Sequence, residues 1–189
     1  MSLSVCVYCS SSNAVDPRYF TAARALGEGI AGRGHSLVYG GASVGLMHAV
    51  AQSALEAGAR VTGVIPETIH ERGLAADGLH ELVVTPDLRT RKQVMDERSD
   101  AFIALPGGFG TLEELLEVLT LRQLRVHQKP IVLLNVNGFY DPLIALFESL
   151  YEGSFARHEH RDAYLVAQDA SEALDQAAQL PKQLTDKWF

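Results

Sequence analysis

Short apolar, β-branched runs that alternate with longer segments of helical spacing predict an α/β protein: a doubly wound, Rossmann-like parallel sheet of about seven strands with helices on both faces. Three observations carry that expectation. The strand-like runs are apolar at nearly every position, as strands covered on both faces are. The segments between them repeat their apolar residues at the helical period. Most boundaries fall at glycine or proline. In such a fold the ligand sits at the carboxyl ends of the strands, so the loops there are where chemistry is sought.

Taken in order, residues 3–8 are an apolar strand that ends at the polar loop Ser10-Ser11-Ser12-Asn13. Residues 20–33 are helical and stop at Gly34. A second strand, 36–39, breaks at Gly40-Gly41, and a helix over about 43–57 ends at Gly58. The third strand, 60–65, is closed by Pro66, and the stretch 67–78 is irregular and receives no element. The fourth strand is 81–85. Pro86 is then expected to open a helix to Arg98, and the fifth strand, 100–105, ends in Pro106-Gly107-Gly108. A helix at 111–126, a strand at 130–134, a helix at 142–151, a short strand at 164–166 and a last helix at 171–180 complete the pattern. Residues 1–180 therefore read as one domain, followed by a polar tail at 181–189.

Of 189 residues, 47% are hydrophobic and 21% charged, which supplies a full core and excludes a disordered chain. Sixteen basic against 23 acidic residues give a net charge of −7, which argues against nucleic acid as a partner. One bound phosphate is compatible with that balance, because a local loop can hold it. No apolar run reaches membrane-spanning length, and Met1-Ser2-Leu3-Ser4 lacks the basic start of a signal peptide. The two cysteines, Cys6 and Cys9, form a C-x-x-C, which can be a redox dithiol or half of a zinc site. Zinc would need two further ligands and no second C-x-x-C exists; a dithiol normally opens a helix, whereas Val5-Cys6-Val7-Tyr8 reads as a strand. Small apolar fillers are the preferred account, and the low cysteine usage suits the cytoplasm.

Two glycine loops fall at strand ends. Gly40-Gly41-Ala42-Ser43-Val44-Gly45 is not G-x-G-x-x-G and is equally explained by the sterics of a tight turn. Pro106-Gly107-Gly108-Phe109-Gly110-Thr111 is denser, and the helix after it presents its positive end to the same place, so its amides suit an anion. Glu114 is either catalytic or the partner of Thr111 in a capping box. Either way, in the first helical turn it is expected to favour its ionised form, acting as a base or as a negative charge facing a developing cation. Glu113 points to another face, with Glu117 four residues on, as solvated surface. Arg89-Thr90-Arg91-Lys92 is a basic cluster that reads either as a solvated helix face or, one crossover from the glycine loop, as a phosphate contact. His158-Glu159-His160 lacks a third ligand at sensible spacing, so no metal is assigned. No nucleophile motif of the G-x-S-x-G type is present, and Lys92, Lys129, Lys182 and Lys187 offer no Schiff-base setting.

Pro106-Gly107-Gly108-Phe109-Gly110-Thr111 with Glu114 resembles the P-G-G-x-G-T-x-x-E signature of the LOG family, cytokinin-activating nucleoside 5′-monophosphate phosphoribohydrolases long mislabelled as lysine decarboxylases. Arg91-Lys92 with Met95, the opening run from Val7 to Ser12, Tyr39-Gly40-Gly41 with Gly45-Leu46-Met47, and the run from Asn135 to Pro142 also fit, so the likeness covers about residues 3–166. Leu88-Arg89, Ala42 and His48 depart from the commoner family residues. The resemblance implies hydrolysis of the N-glycosidic bond of an adenosine 5′-monophosphate, N6-modified or not, to free base and ribose 5-phosphate, with no metal or redox cofactor. It implies Arg91 and Glu114 as the catalytic pair. It implies Lys92, Gly107, Gly108, Phe109, Gly110, Thr111, Thr120, Gly41, Gly45 and Ser11 as substrate-binding positions, and a homodimer with the site near the subunit interface. The alternative is a non-catalytic nucleotide or molybdenum-cofactor carrier, which needs the phosphate loop but not Arg91 and Glu114 together. A dinucleotide-dependent oxidoreductase is disfavoured, because the loop after the first strand lacks glycines.

Overall fold

The computed structural model describes residues 2–184. Strands β1 (Ser4–Tyr8), β2 (Ser36–Tyr39), β3 (Val61–Pro66), β4 (Glu81–Thr85), β5 (Ala101–Ala104), β6 (Ile131–Leu134) and β7 (Leu165–Ala167) form one parallel sheet in the order β4-β3-β2-β1-β5-β6-β7. Val5 of β1 lies opposite Leu37 of β2 on one side and Ala101 of β5 on the other, so the winding reverses between β1 and β5. The expected doubly wound sheet is present, and its switch point opens between the loops after β1 and β5.

Helices α1 (Pro17–Gly32), α2 (Gly45–Glu56) and α7 (Ala170–Ala177) cover one face; α4 (Leu88–Glu97), α5 (Phe109–Gln123) and α6 (Asp141–Glu152) cover the other. The period-two alternation of a strand divides β1 between them. Val5 and Val7 join Leu26, Ile30, Leu46 and Val50, while Cys6 and Tyr8 join Met95, Phe102, Leu115 and Val118. The α1–α2 pair is close enough that a Cβ on Gly27 would lie 2.2 Å from Ser53 Oγ and 2.4 Å from the Val50 carbonyl oxygen. Helix α4 is the exception to apolar docking: Met95 is its one buried residue. Ion pairs hold its end, Arg98 to Glu81 at 2.7 Å and Asp96 to Lys129 at 2.7 Å.

Several local expectations are corrected. The irregular stretch holds a single turn, α3 (Glu67–His70), and then folds back across the loop after β2. There the Ser43 amide donates to the Leu74 carbonyl and the Ala76 amide to the Gly41 carbonyl, each at 2.9 Å. These long-range backbone bonds leave no periodic trace in sequence. Pro86 does not open α4; Asp87 caps it, accepting from the Thr90 amide at 2.7 Å, and the helix starts at Leu88. Helix α5 begins at Phe109 rather than Thr111 and ends at Gln123. The His158-Glu159-His160 segment is part of a 3-10 turn (His158–Ala163) in which His160 is buried. At the chain's far end, the Lys182 carbonyl accepts from the buried Arg122 guanidinium and Leu184 is buried; the rest of the expected polar tail, 185–189, lies outside the described residues. Among the described residues no helix is long and apolar enough to cross a membrane.

Cys6 and Cys9, three residues apart on an extended run, belong to the two opposite cores and are both free. Burial pushes both thiols up, that of Cys6 to about 12, which is the reverse of a reactive dithiol. Both should therefore resist Ellman's reagent in the native protein and react only after denaturation; rapid native labelling would contradict the packing. Gly27→Val should lower unfolding stability by about 1–3 kcal/mol through overpacking at the α1–α2 contact, read from urea melts.

Candidate active site

The loops after β1, β2 and β5 converge with α4 on a cleft of about 690 Å³, within the size range of small-molecule sites. Its floor holds an ion pair. Arg91 Nη1 lies 2.6 Å from Glu114 Oε1, and both side chains are about nine-tenths buried. Arg91 Nε donates to the Val64 carbonyl at 2.9 Å, so β3 fixes the guanidinium from behind. Gly40 makes the arrangement possible: a Cβ there would stand 2.4 Å from Arg91 Nη2 and 2.7 Å from Met47 Sδ.

Helix α5 arrives beside this pair with its first turn open. Gly108 is the N-cap and offers no side-chain bond; the first helical hydrogen bond runs from Leu112 to the Gly108 carbonyl at 3.0 Å. The amides of Phe109, Gly110 and Thr111 therefore have no partner within the helix, a ready anion site. A Cβ on Gly108 or Gly110 would meet nothing within 4 Å, so neither glycine is there to avoid a clash. They leave the space above the amides empty. Gly107 differs: its Cβ would lie 2.1 Å from Thr111 Oγ1, so it lets the buried Thr111 pack under the loop. The Tyr140 hydroxyl braces the approach, donating to the Leu105 carbonyl at 2.7 Å.

The loop after β2 behaves otherwise. Gly41, at φ +73°, and Gly45, at φ +59°, take the left-handed conformation that glycine favours, and neither lines the cleft. The Gly45 amide donates to Asn13 Oδ1 at 2.8 Å and the Leu46 amide to the Ser10 carbonyl at 2.9 Å. The start of α2 is thus spent on holding the Ser10–Asn13 loop, and a Cβ on Gly45 would collide with the backbone at Ser10 and Ser11.

Of the sequence-derived residues, the cleft gathers Arg91, Glu114, Gly108, Phe109, Gly110, Thr111 and Ser11. Lys92 and Thr120 lie elsewhere. Lys92 points away from the cleft and pairs with Glu113 and Glu117, while Thr120 is exposed on α5, its hydroxyl donating to the Leu116 carbonyl at 2.7 Å. Glu113 and Glu117 are therefore partners of one cation rather than mere solvated surface. The cleft also includes Met47, Ile69, Arg72, Leu74 and Leu88, which sequence reasoning did not select. Ile69, Arg72 and Leu74 come from the stretch left without an element, and Leu88 was noted only as a departure. Among the described residues no group of three or more His, Cys, Asp or Glu is placed to hold a metal.

Glu114 is not a helix cap. With α5 starting at Phe109 it stands past the first turn, and its carboxylate faces Arg91. Burial raises its pKa above the ordinary 4.5, with Arg91 pulling in the opposite direction. This reverses the expectation of a carboxyl stabilised in its ionised form by the helix start.

A family model described as "possible lysine decarboxylase" matches residues 47–177. A probable cytokinin riboside 5′-monophosphate phosphoribohydrolase of Oryza sativa subsp. japonica is 44% identical over 170 residues, covering 90% of this chain and 76% of that protein. A cytokinin riboside 5′-monophosphate phosphoribohydrolase of Arabidopsis thaliana is 44% identical over 168 residues, covering 89% and 78%. Among solved structures, the molybdenum cofactor carrier protein of Chlamydomonas reinhardtii superposes with a TM-score of 0.72 at 27% identity, over 95% of this chain and 98% of that one.

Gly40→Ala tests the floor of the cleft. The added methyl forces the buried Arg91 guanidinium and the Met47 side chain to shift, so stability should fall by about 1–3 kcal/mol in thermal melts. The Glu114 carboxyl, followed by carbon NMR, should then titrate higher than in the parent protein because its counter-charge has withdrawn.

Proposed function

The chain belongs to the LOG family of cytokinin riboside 5′-monophosphate phosphoribohydrolases, which the family model describes as possible lysine decarboxylases, and from that premise we propose that it hydrolyses the N-glycosidic bond of an adenosine 5′-monophosphate, N6-modified or not. The observation that carries the proposal is the buried Arg91–Glu114 pair beside the open first turn of α5.

The amides of Phe109, Gly110 and Thr111 receive the 5′-phosphate, so binding energy is gathered away from the reacting carbon. The ribose then lies over Glu114. As the bond from C1′ to the base nitrogen breaks, its electron pair leaves with the base and positive charge builds on the sugar, which the fixed carboxylate stabilises. Water adds its oxygen to C1′, one of its protons passes through Glu114 to solvent or base, and ribose 5-phosphate and the protonated base result. Arg91 fixes the carboxylate and holds it ionised. Ser11 borders the sugar, while Gly41, Gly45 and Gly107 shape the loops rather than touch the nucleotide. Met47, Ile69, Leu74 and Leu88 make the mouth apolar, suited to a purine with or without an apolar N6 substituent. Among the described residues no lysine lines the cleft, so nothing there supports a Schiff-base decarboxylase.

Thr120 stands on α5 away from its own cleft, so a contact with nucleotide would be made in the site of a second copy. Leu116, Leu146 and Phe155 are exposed on the same side of the sheet, which supports a homodimer built there, with each subunit closing the other's site. The cofactor-carrier reading draws on the solved neighbour; it needs the anion loop but has no need of Arg91 and Glu114 together.

The deciding experiment is chromatography of AMP and N6-isopentenyl AMP after incubation with the protein. Free base from either supports the hydrolase; tight binding without release in both establishes a carrier. Glu114→Gln should lower base release by roughly a hundredfold or more while nucleotide binding persists. Because burial raises the Glu114 pKa and the carboxylate is the working form, kcat/KM should fall with decreasing pH along a limb centred above 4.5, higher than an exposed glutamate would give.

A further inference from the structure

We infer that Lys92 is a positioning residue that clamps α4 to α5 beside Glu114, rather than a ligand of the nucleotide phosphate. The inference rests on the phosphoribohydrolase reading for its kinetic consequences only.

Consecutive residues of α4 grip α5 from two sides. Arg91 reaches Glu114 in the cleft; Lys92, one position on and about 100° round the helix, reaches Glu113 and Glu117 outside it. The Lys92 side chain is 14% exposed and lines a separate hollow of about 440 Å³ with Tyr8, Arg89, Asp96 and Glu117. Its ammonium is therefore occupied and turned away from the open amides of α5.

The need for such a clamp follows from the composition of α4. Met95 is its one fully buried residue, with Val94 packed partly against the core, so little apolar area docks the helix. The ion pairs at Asp96 and Arg98 fix only its last turn. The Arg91–Glu114 pair is itself part of the working site. Lys92 is what ties the first turns, where Arg91 emerges, to the outer side of α5.

Charge bookkeeping points the same way. Glu113 and Glu117, one turn apart, repel each other unless a cation lies between them. Glu113 also pushes the Glu114 carboxyl up, and Lys92 pulls it down. The other groups around Glu114 are Arg91 on α4, Arg72, which lines the same cleft, and Cys6, Tyr8 and Cys9 from β1 and its end, whose acidities burial holds far above neutrality. Among these, Lys92 is the charge whose removal leaves Glu113 uncompensated beside the working carboxylate.

The test compares Lys92→Met, Lys92→Arg and the triple variant Lys92→Met/Glu113→Gln/Glu117→Gln, each checked by thermal melting. With AMP, Lys92→Met should lower kcat by about tenfold with KM changed less than about threefold, the split expected of a group acting on the transition state. Its acid limb and the carbon NMR titration of Glu114 should both move to higher pH. Lys92→Arg should restore all three, and the triple variant should return the Glu114 titration toward its parent position. If Lys92→Met is poorly folded, the triple variant, which leaves no unpaired carboxylate, carries the comparison. A rise in KM of about tenfold with kcat and the Glu114 titration unmoved would make Lys92 a phosphate ligand and overturn the inference. No change in any readout would overturn it equally. Should the parent protein release no base at all, the function fails; the Glu114 titration in these variants still decides the role of Lys92.

Discussion

The contact between the Arg91 guanidinium and the Glu114 carboxylate is the constraint around which the functional end of this molecule is arranged. A buried ion pair is weak evidence of stability, because both charges must be taken out of water. What it does supply is a defined position for a carboxylate that would otherwise be flexible. The Val64 carbonyl takes up a second guanidinium hydrogen, Gly40 leaves the room the group occupies, and the polar helix α4 is docked by ion pairs rather than by apolar area. Each of these features is costly or neutral for folding alone. Together they hold one carboxylate beside one open helix end.

The two glycine loops show how similar sequences can do different work. Both follow a strand and precede a helix, but α2 spends its first amides on Asn13 and Ser10, whereas the Gly108 N-cap of α5 offers no side-chain bond to its first turn. The glycines differ accordingly. At Gly41 and Gly45 the backbone conformation or a neighbouring main chain requires glycine; at Gly108 and Gly110 nothing nearby does. An unneeded glycine in a loop whose amides are unpaired is a functional signal, since an absent side chain is what lets an anion approach.

Burial gives Glu114 its second property. A carboxyl in a low-dielectric floor binds its proton more tightly than one in water, and Arg91 moderates this without cancelling it. The same low dielectric strengthens the interaction of the ionised carboxylate with any positive charge brought beside it, so the factor that opposes ionisation also makes the ionised form more effective. The likeness to a molybdenum cofactor carrier protein shows that one sheet can serve different functions, so the fold alone does not specify the chemistry of the cleft.

The sequence by itself determined the sheet, the succession of its elements, and the glycine loop with Arg91 and Glu114, because continuous apolar runs, helical periods and glycine clusters are local patterns. It placed the start of α5 two residues late and left a capping role for Glu114 open, because a helix end without a capping side chain leaves no mark. Tertiary structure alone decided that Lys92 turns from the cleft while its neighbour enters it, and that Gly40 makes room for a guanidinium 51 positions away along the chain. It also decided that Ile69, Arg72 and Leu74 wall the cleft from a stretch with no readable period. These outcomes depend on contacts between residues far apart in the chain, whose energies no local pattern encodes.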